Sequence, residues 1–386
     1  MSENGGRGRL AVGTAFFVHA AIAGSFAGRV PAIKHALDLS DATLGLALFG
    51  AAFGTLVGGR LGGFLAARFG PRRVVRLGVP LFASLLVCTA LAGSLAVLAG
   101  VLFVYGVVAA AVDVSMNSEG VVVERAYARP LMSGFHGMWS VGLLAGAVVA
   151  IGAAALGVRP AAHFTFVGVS AVVASARPLA GLPHRTVTPA AHDARPDRWS
   201  VAVVVLGLIA FCSFFAEGAA ADWSAVFLHD RADAGAALAA AAFASFCLAM
   251  AASRLAGDAL AARFGPVRLT RAGSLVAAAG LGLALLSPVP VVGLVGFALL
   301  GIGLGPVVPT VISASGGARL GSTEDVVSRV FTIGYTGSVV GPAVIGFTAE
   351  HVGLRGALII PVCLALAIAL AADRLGTAAG GSGRRV

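Results

Sequence analysis

The hydrophobic positions of the chain fall into long runs separated by short polar breaks. A helix needs about 20 apolar residues to cross the roughly 30 Å of hydrocarbon in a bilayer. Because lipid leaves only helices or closed barrels, and these runs are too long for barrel strands, each run predicts a transmembrane α-helix. The twelve predicted spans are residues 10–33, 41–66, 74–93, 95–118, 133–156, 161–181, 200–228, 234–262, 269–287, 289–313, 327–350 and 353–374.

Composition supports a membrane protein, since 58% of the residues are hydrophobic and only 11% are charged. Soluble chains are nearer half apolar and a quarter charged. With the N-terminus in the cytoplasm, 20 of the 27 Lys and Arg residues fall on the cytoplasmic side and only four fall outside. This bias predicts that both termini are cytoplasmic. It also accounts for the net charge of +10 without a nucleic-acid partner.

A seven-residue motif indicates that the chain is duplicated. LAARFGP occupies residues 65–71 and recurs at residues 260–266, which is 195 positions later. At the same offset, three residues of the fifth span match three of the eleventh, namely Ser133 with Ser328, Gly142 with Gly337 and Gly146 with Gly341. We therefore predict two six-helix bundles, residues 1–181 and 200–386, joined by a polar cytoplasmic linker at 182–199. Repeats of this kind are typical of secondary transporters, which bind solute where the repeats meet.

The duplicated motif resembles the cytoplasmic loop between helices two and three of the major facilitator superfamily, Gly-x-Leu-Ala-Asp-Arg-x-Gly-Arg-Arg. The first copy matches it at Gly63, Leu65, Ala66, Arg68, Gly70, Arg72 and Arg73. It departs from the motif at Ala67, where the family usually has Asp, and at Pro71. The second copy supplies Arg263, Gly265 and Arg268. The resemblance implies a cytoplasmic gate whose arginines bind helix-terminal carbonyls or acids of neighbouring helices.

Three further stretches resemble the fucose-permease-like sugar and proton symporters, within a bacterial inner-membrane branch of that superfamily. They are DVSMNSEG at 113–120, RPLMSGFHGMWSVG at 129–142 and FAEGAAADWSAVFL at 215–228. The resemblance implies an all-α membrane fold of twelve helices in two pseudo-symmetric bundles. It also implies that helices one, four, seven and ten line the transport cavity.

Two carboxylates within the predicted spans are candidates for proton coupling. An acid at the centre of a transmembrane helix costs about 2.5–3.5 kcal/mol on insertion scales, so Asp113 and Glu217 require an explanation. Each could bind and release a proton as access to the cavity alternates. Asn117 lies four residues after Asp113, on the same helix face, and the two could hold a hydroxyl-rich solute. The structural alternative is that they satisfy each other, or Arg60 of helix two, as contacts between helices.

Five other residues are candidates for substrate binding, and three of them have a stated structural alternative. His19 in helix one could relay protons or could be a hydrogen-bonded packing residue. Trp139 and Trp223 could stack on a sugar or could anchor their helices at the membrane interface. The remaining two are His136, near the cytoplasmic end of helix five, and Arg29, near the outer end of helix one, which could pair with Asp222 or a ligand anion.

The sequence predicts a transporter rather than an enzyme, because it has no nucleophile motif, phosphate loop or metal-ligand spacing. The four cysteines all lie in spans, and we expect no disulfide, metal or cofactor. The expected partners are a small solute, protons and lipid, and we expect a monomer. The leading hypothesis is proton symport of a small polar solute, with a sugar as first candidate. Fucose itself is doubtful, because residues 24–34 lack the Asn and Asp of the fucose permeases.

Two other functions remain open from the sequence. Proton-driven efflux of drugs or metabolites is the second hypothesis. Drug antiporters of this superfamily carry a Gly-Pro pair in helix five, whereas here the pair is Gly341-Pro342 in helix eleven. A membrane sensor that transports nothing is the third hypothesis, and the short loops without a soluble domain argue against it.

Overall fold

A computed structural model of the chain describes residues 3–39, 41–183, 199–232, 236–317 and 322–379. Most of the predicted linker at 182–199 therefore lies outside the described residues. Within those residues the fold is all-helical, with no β-strand. Its α-helices are α1 Glu3–Ala27, α2 Val30–Ala36, α3 Asp41–Phe69, α4 Pro71–Leu91, α5 Leu95–Tyr127, α6 Met132–Ala155, α7 Pro160–Ala176, α8 Val201–Ala232, α9 Ala236–Phe264, α10 Pro266–Leu286, α11 Pro290–Leu304, α12 Val307–Gly317, α13 Thr323–Ala357, α14 Ile359–Ala371 and α15 Asp373–Ala379.

The membrane fold predicted from the apolar runs is confirmed by the length and composition of these helices. In the described part of the chain, eleven segments are long and apolar enough to cross a bilayer, and α14 is a shorter apolar helix. Gly353, with φ 75° and ψ 159°, breaks the helical backbone near the end of α13. The residues after it, together with α14, cover the twelfth predicted span. A count of twelve crossings and the cytoplasmic orientation of both termini stay predictions.

Helix breaks follow local backbone chemistry, and two of them differ from the predicted spans. Ser94 caps the start of α5, since its side-chain hydroxyl accepts a hydrogen bond from the backbone N–H of Val97 at 3.4 Å. The first predicted span runs to residue 33, but α1 ends at Ala27 and a separate short helix, α2, follows. The tenth span is interrupted at Gly305 and Pro306, since proline removes a backbone donor and disfavours continuation of the helix.

The helices form two compact units. One contains Met1–Ala128, Met138–Pro196 and Ser322–Arg329, and the other contains Arg129–Gly137, Asp197–Gly321 and Val330–Val386. Each unit is therefore mostly one half of the sequence, to which a short stretch of the other half is added. These stretches include the first turns of α6 and α13, which are matching helices of the two halves.

The repeated LAARFGP motif forms the same sharp turn in both halves. Gly70, between α3 and α4, has φ 87°, and Gly265, between α9 and α10, has φ 80°. Residues with a side chain rarely adopt this left-handed region, and proline at the next position starts the following helix with a suitable φ. The repeat is therefore explained by the turn between two transmembrane helices, independently of any role of its arginines.

Glycines let helices approach each other closely in both units, as is common in membrane interiors. In the first unit, a Cβ built at Gly142 or Gly146 of α6 would overlap the α1 backbone, and the Ser25 hydroxyl donates to the Gly146 carbonyl at 3.3 Å. In the second unit, a Cβ at Gly337 of α13 would overlap the backbone of α8 at Phe211. Gly142 and Gly337, which match at an offset of 195, thus make equivalent contacts in the two units.

Candidate functional site

The acid and amide predicted on α5 contact each other. The Asn117 side-chain amide donates to the backbone oxygen of Asp113 at 2.9 Å and to its carboxylate at 3.2 Å. Every residue from Ala110 to Val121 is buried except Asp113, which is half-buried. Glu119, also on this stretch, is fully buried. The shared helix face predicted from the spacing is confirmed, and the contact is the one that the structural alternative describes. Asp113 is the one polar residue of this stretch that is partly exposed, and the predicted roles of both residues in binding and coupling stay predictions.

Glu217 of α8 forms an ion pair with Arg254 of α9. The guanidinium Nη2 donates to one carboxylate oxygen at 3.2 Å, and the Ser213 hydroxyl donates to the other at 3.0 Å. The arginine side chain is 5% exposed and the glutamate side chain 19% exposed. Both charges lie within segments that could span the membrane. A charge pair of this kind is costly to bury, and breaking it by removing one partner is costlier.

Arg254 also contacts the break between α11 and α12. Its Nε donates to the carbonyl of Gly305 at 3.3 Å, and the neighbouring Ser253 donates to the carbonyl of Ile302 at 2.6 Å. These carbonyls belong to the last turn of α11, where a cation is favourable to the helix dipole. The buried ring of His136, in the first turns of α6, lies within electrostatic reach of Arg254. The ion pair thus joins α8 and α9 to the interrupted helix.

The two candidates of the first span, His19 and Arg29, have contacts within their own unit. His19 is buried, with its Nε2 3.1 Å from the Ala109 carbonyl and its ring stacked on Phe82 at 4.9 Å. The buried Arg29 guanidinium donates to the carbonyl of Val158. Both arrangements support a packing role. The predicted roles of His19 and Arg29 in substrate binding stay untested.

The tryptophan candidates are half-buried. Trp223 of α8 lies against Gly346 of α13, where a built Cβ would be 3.4 Å from the indole ring. Trp139 lies on α6 and is also half-buried. The buried indole nitrogen of Trp223 has no hydrogen-bond partner among the described residues. Stacking on a solute therefore stays a prediction for both residues.

The motif arginines contact carbonyls or aromatic rings near the turns. Arg72 donates to the Ala180 carbonyl, just beyond the end of α7, at 2.9 Å, as predicted for a helix-terminal carbonyl. Arg68 lies over the ring of Phe69 at 5.7 Å, and Arg263 lies over that of Phe264 at 5.2 Å. Arg73 and Arg268 are exposed. The role in gating predicted for these arginines and glycines stays a prediction.

The first turn of α6 is capped by an acid that the sequence analysis did not select. Both carboxylate oxygens of Asp258 accept backbone N–H groups, from Ser133 at 2.8 Å and from Gly134 at 2.7 Å. A carboxylate at this position satisfies two otherwise unpaired donors and complements the helix dipole. A Cβ built at Gly257 would overlap the Ser133 side chain, so a glycine is needed beside the cap.

The equivalent turn of α13 is held differently. Ser328, the counterpart of Ser133, donates its hydroxyl to the Gly59 carbonyl at 2.7 Å, and a Cβ built at Gly63 would overlap it. Asp325 pairs with Arg329 of its own helix at 2.5 Å and with Arg60 of α3 at 3.7 Å. Arg60 therefore pairs with an acid of α13, which weakens the alternative that it satisfies Asp113 or Asn117.

Comparison with known proteins identifies the family. A model of the Major Facilitator Superfamily matches residues 12–317. The chain belongs to that superfamily. An uncharacterised MFS-type transporter of Yersinia pestis is 33% identical over 362 residues, which is 93% of each chain. This similarity confirms the predicted family and a membrane transporter rather than an enzyme, and the predicted bacterial cell membrane fits these relatives.

Solved structures of the Major Facilitator Superfamily match the fold over nearly its full length. The FucP transporter in its outward conformation gives a TM-score of 0.76 at 17% identity, covering 95% of this chain and 97% of that one. The proton:xylose symporter XylE gives 0.76 at 14% identity, covering 96% and 95%. The predicted resemblance to fucose permeases is thus supported at the level of the fold.

Three residues of this superfamily member were missed by sequence reasoning. Arg254 lies within a predicted span, but its pairing with Glu217 was not predicted. Inserting a charged arginine into the membrane is about as costly as inserting a charged carboxylate, so Arg254 could have been selected for the same reason as Glu217. Glu119 lies inside the quoted stretch 113–120 and could have been found in the same way. Asp258 gives no local signal, because its partners Ser133 and Gly134 are more than 120 positions away.

Replacing Asp258 by Asn is expected to lower stability by about 1–2 kcal/mol, because the neutral amide accepts only one of the two bonds and loses the favourable helix-dipole interaction. Thermal unfolding of detergent-purified protein would measure the loss. Asp222→Asn is the control, since this carboxylate of α8 is exposed. Equal unfolding temperatures for the two variants would contradict the capping role.

Proposed function

We propose that this transporter moves a small polar solute together with protons, as a symporter that acts as a monomer. The transport function follows from the family, whereas the coupling, the solute class and the monomeric state are the proposal. FucP is a fucose:proton symporter and XylE a proton:xylose symporter. Because both are less than 20% identical to this chain, their activities supply a hypothesis for its function and nothing more.

The observation that carries the proposal is the partly exposed Glu217 carboxylate beside Arg254. A carboxylate can serve as a proton carrier only if water reaches it and if its partners change when it becomes neutral. The first condition is supported by the 19% exposure of the Glu217 side chain. Glu217 meets the second condition because protonation of its carboxylate would weaken the hydrogen bond from Arg254. Arg254 also donates to the carbonyl of Gly305, at the break between α11 and α12. A proton on Glu217 is therefore linked to a helix break that a conformational change could use.

Asp113 and Asn117 support a polar solute. Their oxygen and amide groups lie on one turn of α5, and the acid is the half-buried member of the pair. Together they offer both acceptors and a donor, which suits hydroxyl groups. We assign solute binding to this pair and proton carriage to Glu217, with Asp113 as the second candidate carrier.

The test is solute-dependent proton movement into proteoliposomes that enclose a pH-sensitive dye. Neutral, acidic and basic sugars are added outside first, and cationic drugs second. Symport predicts acidification of the interior on addition of a transported solute. Glu217→Gln should lower this signal at least about tenfold, the size of effect expected when a positioned proton carrier is lost. Asp113→Asn should weaken solute-dependent proton movement, because it lowers the affinity for the solute.

Ser213→Ala is the matched control, because it removes a hydrogen bond to Glu217 but keeps the carboxyl and Arg254. It is expected to retain most of the proton movement. If Glu217→Gln is folded and moves protons as fast as the unchanged chain, proton carriage by this residue is excluded. If drugs dissipate an imposed proton gradient and sugars do not, the protein is an exporter.

A further inference from the structure

An apolar groove lies between three helices of the first unit. Residues of α3 and α4 flank it, residues of α5 complete its wall, and the cavity measures about 310 Å³. Its described lining residues carry no polar side chain except the guanidinium of Arg73. The groove is accessible from outside the protein, because the lining residues Phe69, Leu77 and Leu81 are exposed.

The groove extends from one end of these helices to the middle of a membrane-spanning segment. On α4 its lining runs from Arg73, in the first turn, to Leu81, which is the central residue of the apolar segment Pro71–Leu91. Eight helical positions correspond to about 12 Å, and one leaflet contributes about 15 Å of hydrocarbon. The groove therefore has nearly the length of one leaflet, and its only charge lies at the end where lipid headgroups are found.

The arginines near the Gly70 turn are not balanced by an acid. In the described part of the chain, Arg68, Arg73 and Arg76 form no ion pair. No Asp or Glu occurs from residue 61 to residue 91. The acids of the neighbouring helix α5 do not belong to the described lining of the groove, and each has contacts elsewhere, namely Asp113, Glu119 and Glu124. This end of the groove is therefore basic.

The equivalent turn of the second unit does have an acid. Arg271 of α10, which matches Arg76 at the offset of 195, pairs with Asp373 at 2.6 Å and donates to the carbonyl of Ala369 at 3.3 Å. The described residues of the first unit supply no such acid to α4. One copy of the repeated turn is thus balanced by the chain itself, whereas the other is left to a negative charge from outside it.

We propose that this groove binds an anionic phospholipid, with one acyl chain along α3, α4 and α5 and the phosphate on Arg73. The apolar walls bury methylene groups, and the N–H donors of the guanidinium suit phosphate oxygens. A neutral apolar partner would fill the groove but leave the basic end unbalanced, whereas an anionic lipid supplies both the chain and the charge. In the predicted orientation the turn lies at the cytoplasmic leaflet, where arginines attract anionic lipids. The site is independent of the solute and of proton coupling.

Lipid binding to the wild-type protein tests the site without any variant. Native mass spectrometry of the purified protein is used to titrate phosphatidylglycerol and phosphatidylethanolamine of identical acyl chains. The first equivalent of phosphatidylglycerol should bind at least about fivefold more tightly, the factor expected from one arginine near a membrane surface. Glycerol phosphate, which has the charge but no acyl chain, should bind at least about tenfold more weakly than phosphatidylglycerol. Equal affinity for the two lipids, or equal affinity for glycerol phosphate and phosphatidylglycerol, would overturn the inference.

A pair of arginine variants tests the position of the phosphate. Arg73→Gln should abolish the preference for phosphatidylglycerol. Arg268→Gln is the matched control, because Arg268 is also exposed and is the third residue of α10, as Arg73 is of α4. It should keep the preference. An equal loss in both variants would mean that basic turns attract anionic lipid without a groove, and the inference would fail.

A pair of valine variants tests the position of the acyl chain. Val108→Phe adds a ring to a residue that lines the groove, so phosphatidylglycerol should bind at least about tenfold more weakly. Val104→Phe is the control, since Val104 lies on the same helix, is exposed and is outside the described lining. Unchanged binding by a folded Val108→Phe variant would exclude the groove as the site of the chain.

Discussion

Replacing Gly146 by leucine is expected to prevent α1 and α6 from packing and to leave little folded protein. A Cβ built at this position would be 2.8 Å from the backbone nitrogen of Ser25 and would overlap the carbonyl of Ala21. Backbone atoms cannot rotate away as a side chain can, so the two helices would have to separate. The hydrogen bond from the Ser25 hydroxyl to the Gly146 carbonyl would then be lost as well. We expect a destabilisation of at least about 3 kcal/mol, at the upper end for overpacking.

Gly152→Leu is the matched control, because Gly152 lies on the same helix and no atom of the described residues lies within 4 Å of a Cβ built there. The same substitution there adds a side chain to open space and should be tolerated. The measurement is the fraction of monodisperse protein after detergent extraction, together with its thermal unfolding. Comparable yields and unfolding temperatures for the two variants would show that α1 and α6 do not pack as the structure has them.

Most of the fold follows from signals that are local in the sequence. Apolar runs of about 20 residues predict spanning helices whatever their partners are, because lipid requires every backbone group to be satisfied within its own segment. The predicted spans leave breaks at residues 67–73 and 263–268, which contain the turns at Gly70 and Gly265. The separation of α1 from α2 was missed, because Gly28 and Arg29 interrupt an apolar run too briefly to mark a break.

The candidate site was predicted less completely, because its geometry depends on which helices become neighbours. The Asp113–Asn117 contact was predictable, since positions i and i+4 always share a helix face. Glu217 and Arg254 are 37 positions apart on different helices, and no periodicity links them. The insertion cost of an intramembrane charge indicates that each needs a partner, but only tertiary packing decides that they partner each other.

Replacing Glu217 by alanine is expected to cost more stability than replacing Arg254 by methionine. Without the acid, the guanidinium stays charged in a place that is 5% exposed, a situation that typically costs about 3–5 kcal/mol. Without the arginine, the glutamate can take up a proton and become neutral, so the expected loss is about 1–2 kcal/mol, which includes the lost bond to Gly305. Removal of both should cost less than the sum of the single losses, because the double variant removes both charges of the ion pair together.

Unfolding of the two single variants and the double variant, compared in one detergent, gives the coupling energy between the residues. Ser213→Ala is the control in this cycle, since it removes one neutral bond to Glu217 and should cost about 1 kcal/mol. Hydrogen bonds between helices in membrane proteins average only about 0.6 kcal/mol, so a coupling no larger than that would mean that water solvates both charges and that the pair is a weak contact. A coupling of several kcal/mol would mean that the two charges stabilise each other inside the membrane-spanning helices, so that a change in one of them alters the stability of the other.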